Sequence, residues 1–225
     1  MRRPVDWSLY LVTDRGLAAG RSLAEIVKAA IAGGASVVQL REKECNTGEM
    51  IRLAQQLLAI TRPLGVPLIV NDRVDVALAA DADGVHVGQE DMPATIARRL
   101  IGPEKILGVT AASPEEARRA VADGADYIGC NAVFPTPTKT DTGTPMGIEG
   151  FRQLAHSVPV PVVAIGGINA SNAGALVRAG AAGVAVVSAI MAAEDPEEAA
   201  RVLRRVVDQA RREIASQERE HGKLQ

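Results

Sequence analysis

The chain is poor in the side chains that carry much of hydrolytic and metal chemistry, with three histidines and two cysteines among its 225 residues. His86 falls in an apolar run, His156 near a helix end and His221 in the tail, so neither a Ser/His/Asp set nor a His-rich metal site can be assembled. Alone on its run, His86 reads as a packed, hydrogen-bonded residue rather than a general base. Cys45 and Cys130 form no disulfide framework and no metal-ligand spacing, and they suit reduced thiols. No lysine lies inside an apolar run, where a Schiff-base nucleophile would be desolvated, although Lys43 sits near the end of one. The formal net charge is only -2 with the signs interspersed, which excludes a general attraction to nucleic acid or to an anionic membrane while allowing local basic sites. Long apolar runs are missing too. The longest, 184–193, is too short to span a bilayer, and the opening "MRRPVDWSLYLVTDRG" has no signal-like apolar segment. A cytoplasmic protein with small-molecule partners, and with neither nucleic acid nor membrane among them, is expected; the sequence leaves room for a homo-oligomer.

What the chain does have is a repeated pairing of small-residue turns with short apolar runs: "GGASVVQL", "DADGVHVG", "ADGADYIG" and "AGAAGVAVV". Read in order, the runs predict strands at 9–13, 36–40, 67–70, 84–87, 106–109, 127–130, 162–165 and 183–187. Helical spacing lies between them. "SLAEIVKAAIAGG" offers Ser22 as an N-cap, and "SPEEARRAVADG" offers Ser113 before Pro114 at the first helical position. "DPEEAARVLRRVVDQARREIASQ" repeats that start and carries Ala199, Leu203, Val206, Ala210 and Ile214 on one face. Eight wholly apolar strands, each followed by a helix, imply parallel strands buried on both sides, and a (β/α)8 TIM barrel is their natural closure. A single barrel domain over 1–217 is expected, with 218–225 as a frayed charged tail.

In such a barrel the chemistry gathers at the C-terminal strand ends. The second run ends in "QLREK", with Gln39, Arg41 and Lys43; the third in "VNDR", with Asn71 and Asp72; the fourth in "HVGQED", with Gln89, Glu90 and Asp91. The fifth ends at Thr110, and the sixth leads into "VFPTPTKTDTGTP", which reads either as a solvated connector or as an anion-binding lid offering Thr136, Thr138 and Lys139. After the seventh and eighth runs, Gly166, Gly167 and Ser188 make a phosphate site of backbone N–H groups. Arg41, Lys43 and Lys139 make a second, more charged anion site for which a diphosphate is the economical ligand. Asp72 and Asp91 would repel that ligand unless Mg2+ stood between them; each acid has the alternative of capping the helix that follows it. The inventory favours electrostatics over proton transfer, as in loss of a Mg2+-bound diphosphate followed by capture of the carbon electrophile by a second phosphorylated substrate.

The segments "LYLVTD", "VVQLREK", "VNDR", "DGVHVGQED", "ILGVT", "ADYIG", "VFPTPTK", "VVAIGGIN" and "GVAVVSAI" resemble, in this order, the thiamine-phosphate synthase (thiamine-phosphate pyrophosphorylase) family. The resemblance implies that 4-amino-2-methyl-5-hydroxymethylpyrimidine diphosphate loses pyrophosphate and that the ring nitrogen of 4-methyl-5-(2-hydroxyethyl)thiazole phosphate attacks its exocyclic methylene. It implies pyrimidine-diphosphate contacts at Gln39, Arg41, Lys43 and Asn71, Mg2+ ligands at Asp72 and Asp91, and a diphosphate neighbour at Thr110. Thr136 and Thr138 resemble thiazole-phosphate donors, Lys139 a diphosphate contact, and Gly167, Val187 and Ser188 the rest of the thiazole-phosphate pocket. Arg41, Lys43 and Lys139 thereby become the catalytic cations. One departure is visible, Asn131-Ala132 where the family usually shows Gly-Pro. The competing readings are a thiazole tautomerase paralogue, a sugar-phosphate epimerase or aldolase, and a non-catalytic phosphometabolite-binding barrel. Retention of the cations and both aspartates argues against the first, and a thin acid/base inventory against the second.

Overall fold

The structure, a computed structural model, describes residues 4–136 and 144–222. Eight parallel strands close in sequence order into a barrel: β1 (Leu9–Val12), β2 (Val37–Leu40), β3 (Leu68–Asn71), β4 (Gly84–Val87), β5 (Ile106–Ala111), β6 (Tyr127–Cys130), β7 (Val162–Ile165) and β8 (Gly183–Val186). β8 returns to β1, with Tyr10 opposite Ala185. The helices that follow are α1 (Leu23–Ala32), α2 (Thr47–Thr61), α3 (Val74–Ala79), α4 (Ala94–Ile101), α5 (Pro114–Ala122), α6 (Gly147–Ala155) and α7 (Ala173–Arg178), with short α8 (Ser188–Met191) and long α9 (Pro196–Gly222) closing the chain. This is the expected TIM barrel, and each predicted strand lies within about two residues of its place.

Strands buried on both faces need two cores, and the apolar residues divide accordingly. The larger core, including Leu11, Val38, Leu68, Val85, Leu107 and Ile128, lies between strands and helices. A smaller one fills the barrel with Trp7, Tyr10, Val12, Val37, Ile69, Ile106, Tyr127, Val163 and Ala185. Trp7 precedes β1 and closes the bottom of the barrel, its ring centroid 4.3 Å from that of Tyr127. Gly183 admits the chain there, because a Cβ at that position would stand 1.6 Å from the Trp7 carbonyl oxygen.

Capping follows the sequence in part. Ser113 Oγ accepts the Glu116 N–H at 3.2 Å and Asp195 Oδ1 accepts the Glu198 N–H at 3.0 Å, the bonds that the two Pro-led starts imply. Ser22 occupies the N-cap of α1 in an extended conformation but makes no side-chain cap bond. On α9 the fully buried stripe is Ala200, Leu203, Val207 and Ala210, with Ala199, Val206 and Ile214 at its margins, so the face is turned slightly from the expected one. The helix continues as far as Gly222, through the first part of the segment expected to fray. Among the described residues no helix is long and apolar enough to cross a membrane.

Candidate active site

A cavity of about 410 Å³ opens at the C-terminal ends of the strands. Gln39, Arg41, Lys43, Asn71, Asp72, Asp91, Thr110, Thr136, Gly167, Val187 and Ser188 all line it. Thr138 and Lys139 lie outside the described residues. A rim drawn from β2 to β8 therefore brings those of the sequence-predicted residues that are described to one chamber, as short strand-to-helix loops in this fold require.

The two aspartates do not cap helices. Asp72 has a positive φ of 63°, uncommon for a residue other than glycine, and the α3 N-cap is Arg73 without a side-chain cap bond. The left-handed turn sends the Asp72 N–H to the His86 carbonyl at 2.7 Å and its carboxylate to Lys43 Nζ at 2.8 Å. Asp91 bends back instead of forward, its Oδ2 accepting the Gly88 N–H at 2.7 Å. A Cβ at Gly88 would lie 2.9 Å from that oxygen, so a side chain there would push the Asp91 carboxylate aside. Burial raises the Asp91 carboxyl above its ordinary range, and the facing Asp72 carboxyl raises it further. Two carboxylates turned toward one another with a single lysine beside them fit a hard divalent cation, whose charge would relieve their repulsion. No larger group of His, Cys, Asp or Glu suited to a metal occurs among the described residues.

Arg41 is fixed at both ends. Its backbone N–H donates to Thr13 Oγ1 at 3.1 Å, and its guanidinium stands 3.4 Å from Asp14. Gln89, also on the rim, donates through Nε2 to the Thr110 carbonyl.

The β7–β8 side is built from backbone. Gly166 and Gly167 have φ of 97° and 65°. A Cβ on Gly167 would stand 2.6 Å from the Pro135 carbonyl oxygen, and one on Gly166 2.6 Å from Ala132 Cα. The glycine pair thus makes room for the start of the loop after β6, which also bonds it: Phe134 N–H donates to the Gly166 carbonyl at 3.1 Å. Ala132, the second residue of the Asn131-Ala132 departure, sits in this contact and is buried. Asn172 Nδ2 donates to the Gly167 carbonyl at 2.9 Å, which steadies the far side of the turn.

Beneath the rim lies a polar chain that sequence reasoning missed. Gln39 Nε2 donates to Tyr10 Oη at 2.8 Å; Tyr10 and Tyr127 hydroxyls meet at 2.8 Å; Tyr127 Oη meets His86 Nδ1 at 2.9 Å; and His86 Nε2 meets Thr110 Oγ1 at 2.9 Å. Each hydroxyl has one proton, and one order that satisfies every member has Gln39 donate to Tyr10, Tyr10 to Tyr127 and Tyr127 to Nδ1. That ordering puts the imidazole proton on Nε2, facing Thr110. Burial lifts both phenols above their ordinary pKa, keeping them as neutral donors. His86 is accordingly a hydrogen-bonded residue of the cavity floor, as its isolation in the sequence suggested. Two strand glycines make the space: a Cβ on Gly108 would lie 2.2 Å from Tyr127 Cζ and 2.4 Å from His86 Nδ1, and one on Gly129 2.9 Å from His86 Cε1. Glycines inside strands are the signal that could have exposed the chain. Cys130 also lines the floor; burial pushes its thiol up to about 12, so it stays protonated and inert.

Known proteins share this architecture in detail. A family model for thiamine monophosphate synthase matches residues 9–190. Thiamine-phosphate synthase of Chloroflexus aurantiacus is 59% identical over 203 residues, covering 90% of this chain and 94% of its own. The Moorella thermoacetica enzyme of the same name is 51% identical over 206 residues, covering 92% and 98%. Among solved structures, thiamine phosphate pyrophosphorylase from Pyrococcus furiosus superimposes with a TM-score of 0.84 at 44% identity, covering 91% of this chain and 97% of that one. With identity this high over nearly the whole length, and with the barrel and its rim in place, the chain belongs to the thiamine monophosphate synthase family.

Proposed function

We propose that this chain is a transferase that joins 4-amino-2-methyl-5-hydroxymethylpyrimidine diphosphate to 4-methyl-5-(2-hydroxyethyl)thiazole phosphate, giving thiamine phosphate and pyrophosphate. One observation carries the reading. A single cavity sets Arg41, Lys43, Asp72 and Asp91 against the turn formed by Gly167, Val187 and Ser188, which suits one diphosphate and one monophosphate substrate held side by side.

Arg41 and Lys43 bind the diphosphate and meet the negative charge that grows as the carbon–oxygen bond breaks. Asp72 and Asp91 would hold Mg2+, which supplies further neutralisation of the leaving pyrophosphate. Gln39, Asn71 and Thr110 orient the pyrimidine diphosphate, whose amino-substituted ring delocalises positive charge at the exocyclic methylene. The thiazole phosphate is held by Gly167, Val187 and Ser188 together with Thr136 and Thr138, so that its ring nitrogen faces that carbon. Lys139 adds a third cation for the diphosphate, and its loop excludes water from the electrophile. The bond from the methylene carbon to the diphosphate oxygen breaks, and a bond from thiazole nitrogen to that carbon forms. No general base is needed, which agrees with a histidine already committed to Tyr127 and Thr110. Two unpaired cysteines suit a reducing compartment, and we assign the enzyme to the cytoplasm.

The test is incubation of the purified protein with both substrates and Mg2+, following thiamine phosphate and pyrophosphate together, with chelator and single-substrate controls. Equal release of both products, dependent on metal and on both substrates, is expected. Binding of thiazole phosphate without product would overturn the reading in favour of a tautomerase or a binding barrel.

A further inference from the structure

The end of β1 contributes Tyr10 to the cavity floor, yet the next three residues reach across to the segment after β2. Thr13 is fully buried; its N–H donates to the Gln39 carbonyl at 2.9 Å and its Oγ1 accepts the Arg41 N–H at 3.1 Å. Asp14 stands 3.4 Å from the Arg41 guanidinium while its Oδ1 accepts the Leu17 N–H at 3.1 Å. Arg15 places Nε 3.2 Å from Glu42 Oε2 and Nη1 2.8 Å from Glu49 Oε1 in the first turn of α2.

Glu42 is the unusual member. It lies between Arg41 and Lys43, which line the cavity, but does not line it itself. Its side chain is only 5% exposed, and Oε1 has no hydrogen-bond partner among the described residues. A buried carboxylate with one oxygen unpartnered costs stability, and an apolar side chain would fill the space more cheaply. Stability alone therefore does not account for it. Position does, because Glu42 is held away from the cavity that its neighbours Arg41 and Lys43 line, and an anchor on the middle residue governs where those two point.

We propose that Arg15 and Glu42 are positioning residues for diphosphate recognition. Their ion pair ties the underside of the 41–43 segment to the chain that follows β1, and Arg15 ties it through Glu49 to α2, so that Arg41 and Lys43 project together into the cavity. The identity of the ligand rests on the functional reading above. Neither residue touches substrate; both act through the two cations, and loss of the pair lets those cations splay, which lowers affinity for one substrate and spares the other.

The experiment compares wild type, Glu42→Gln, Arg15→Met and the double variant. Calorimetry measures binding of inorganic pyrophosphate in Mg2+, and steady-state kinetics measures KM for each substrate. Each single variant is expected to weaken pyrophosphate and raise KM for the pyrimidine diphosphate about tenfold, as outer-layer partners of a binding site do. KM for thiazole phosphate should stay within about twofold, and the double variant should be no worse than the worse single one, because the pair acts as a unit. Arg15 is half-exposed, so Arg15→Met decides the matter if Glu42→Gln fails to fold. Unchanged pyrophosphate affinity, equal rises in both KM values, or multiplicative loss in the double variant would overturn the proposal. A wild type that binds pyrophosphate but forms no thiamine phosphate overturns the functional reading, while the calorimetry still decides on the pair. A wild type that does not bind pyrophosphate overturns both.

Discussion

In the proposed reading the two sides of the cavity meet anions by opposite means. From β2 to β4 the rim carries charged side chains, Arg41, Lys43, Asp72 and Asp91; from β7 to β8 it carries backbone, the Gly166–Gly167 turn and the start of α8. Charged side chains need counter-charges to keep them in place before a ligand arrives, and here Lys43 is paired with Asp72 and Arg41 with Asp14. Backbone donors need no counter-charge, but they require left-handed φ and the absence of Cβ at both glycines. The charged side is thus vulnerable to loss of charge and tolerant of small changes in shape. The backbone side is the reverse.

Asp72→Asn breaks the comparison where the expected effect is largest. Asparagine tolerates the left-handed φ of 63°, so the turn survives while the charge is lost. Turnover should fall about 10²- to 10³-fold, the scale on which a preorganised electrostatic contact to a transition state is worth. A loss of less than threefold, by steady-state assay at saturating Mg2+, would remove Asp72 from the reading.

Gly167→Ala probes the other side with no change in charge. The added methyl would stand 2.6 Å from the Pro135 carbonyl oxygen and 2.8 Å from Phe134 Cβ, so backbone must shift. Strain of about 1–3 kcal/mol is expected at such a site, which corresponds to roughly a tenfold or greater rise in KM for thiazole phosphate. KM for the pyrimidine diphosphate should barely move. Equal changes for both substrates would show that the two sides are not separate recognition surfaces.

Legibility in the sequence divides along the same line. Charged residues were found because they stand just past apolar runs, and the barrel rule converts that position into a place on the rim. The glycine pair was found for its freedom of φ, but its second task, receiving the chain at Ala132 and Pro135, depends on a tertiary contact. Left-handed Asp72 was invisible, since the sequence allowed a helix cap equally well and the His86 carbonyl and Lys43 decided otherwise. The polar floor was missed for a third reason. Gln39, Tyr10, Tyr127, His86 and Thr110 come from five strands and meet only through the inward-facing register of a closed barrel. Apolar patterning shows that a strand is buried, not which of its side chains look inward when both faces are covered.

The smallest expected effect sharpens the comparison by asking what the charged side costs. Burial and Asp72 raise the Asp91 carboxyl above its ordinary value, so folding favours its protonated form. That contribution is fully present at acidic pH and is lost as pH rises through the ordinary carboxylate range to the raised value; near neutrality the metal-free protein carries the repulsion. Asp91→Asn removes it, and the asparagine oxygen can still accept the Gly88 N–H. The metal-free variant should therefore match or exceed wild type in unfolding free energy at neutral pH, by no more than about 0.5 kcal/mol given the exposure of the site, and the difference should vanish in acid. Mg2+ with pyrophosphate should reverse the order, stabilising wild type by mass action and the variant much less. A variant less stable than wild type at neutral pH without metal would show that Asp91 is held for the fold, and that the charged side costs nothing until it binds.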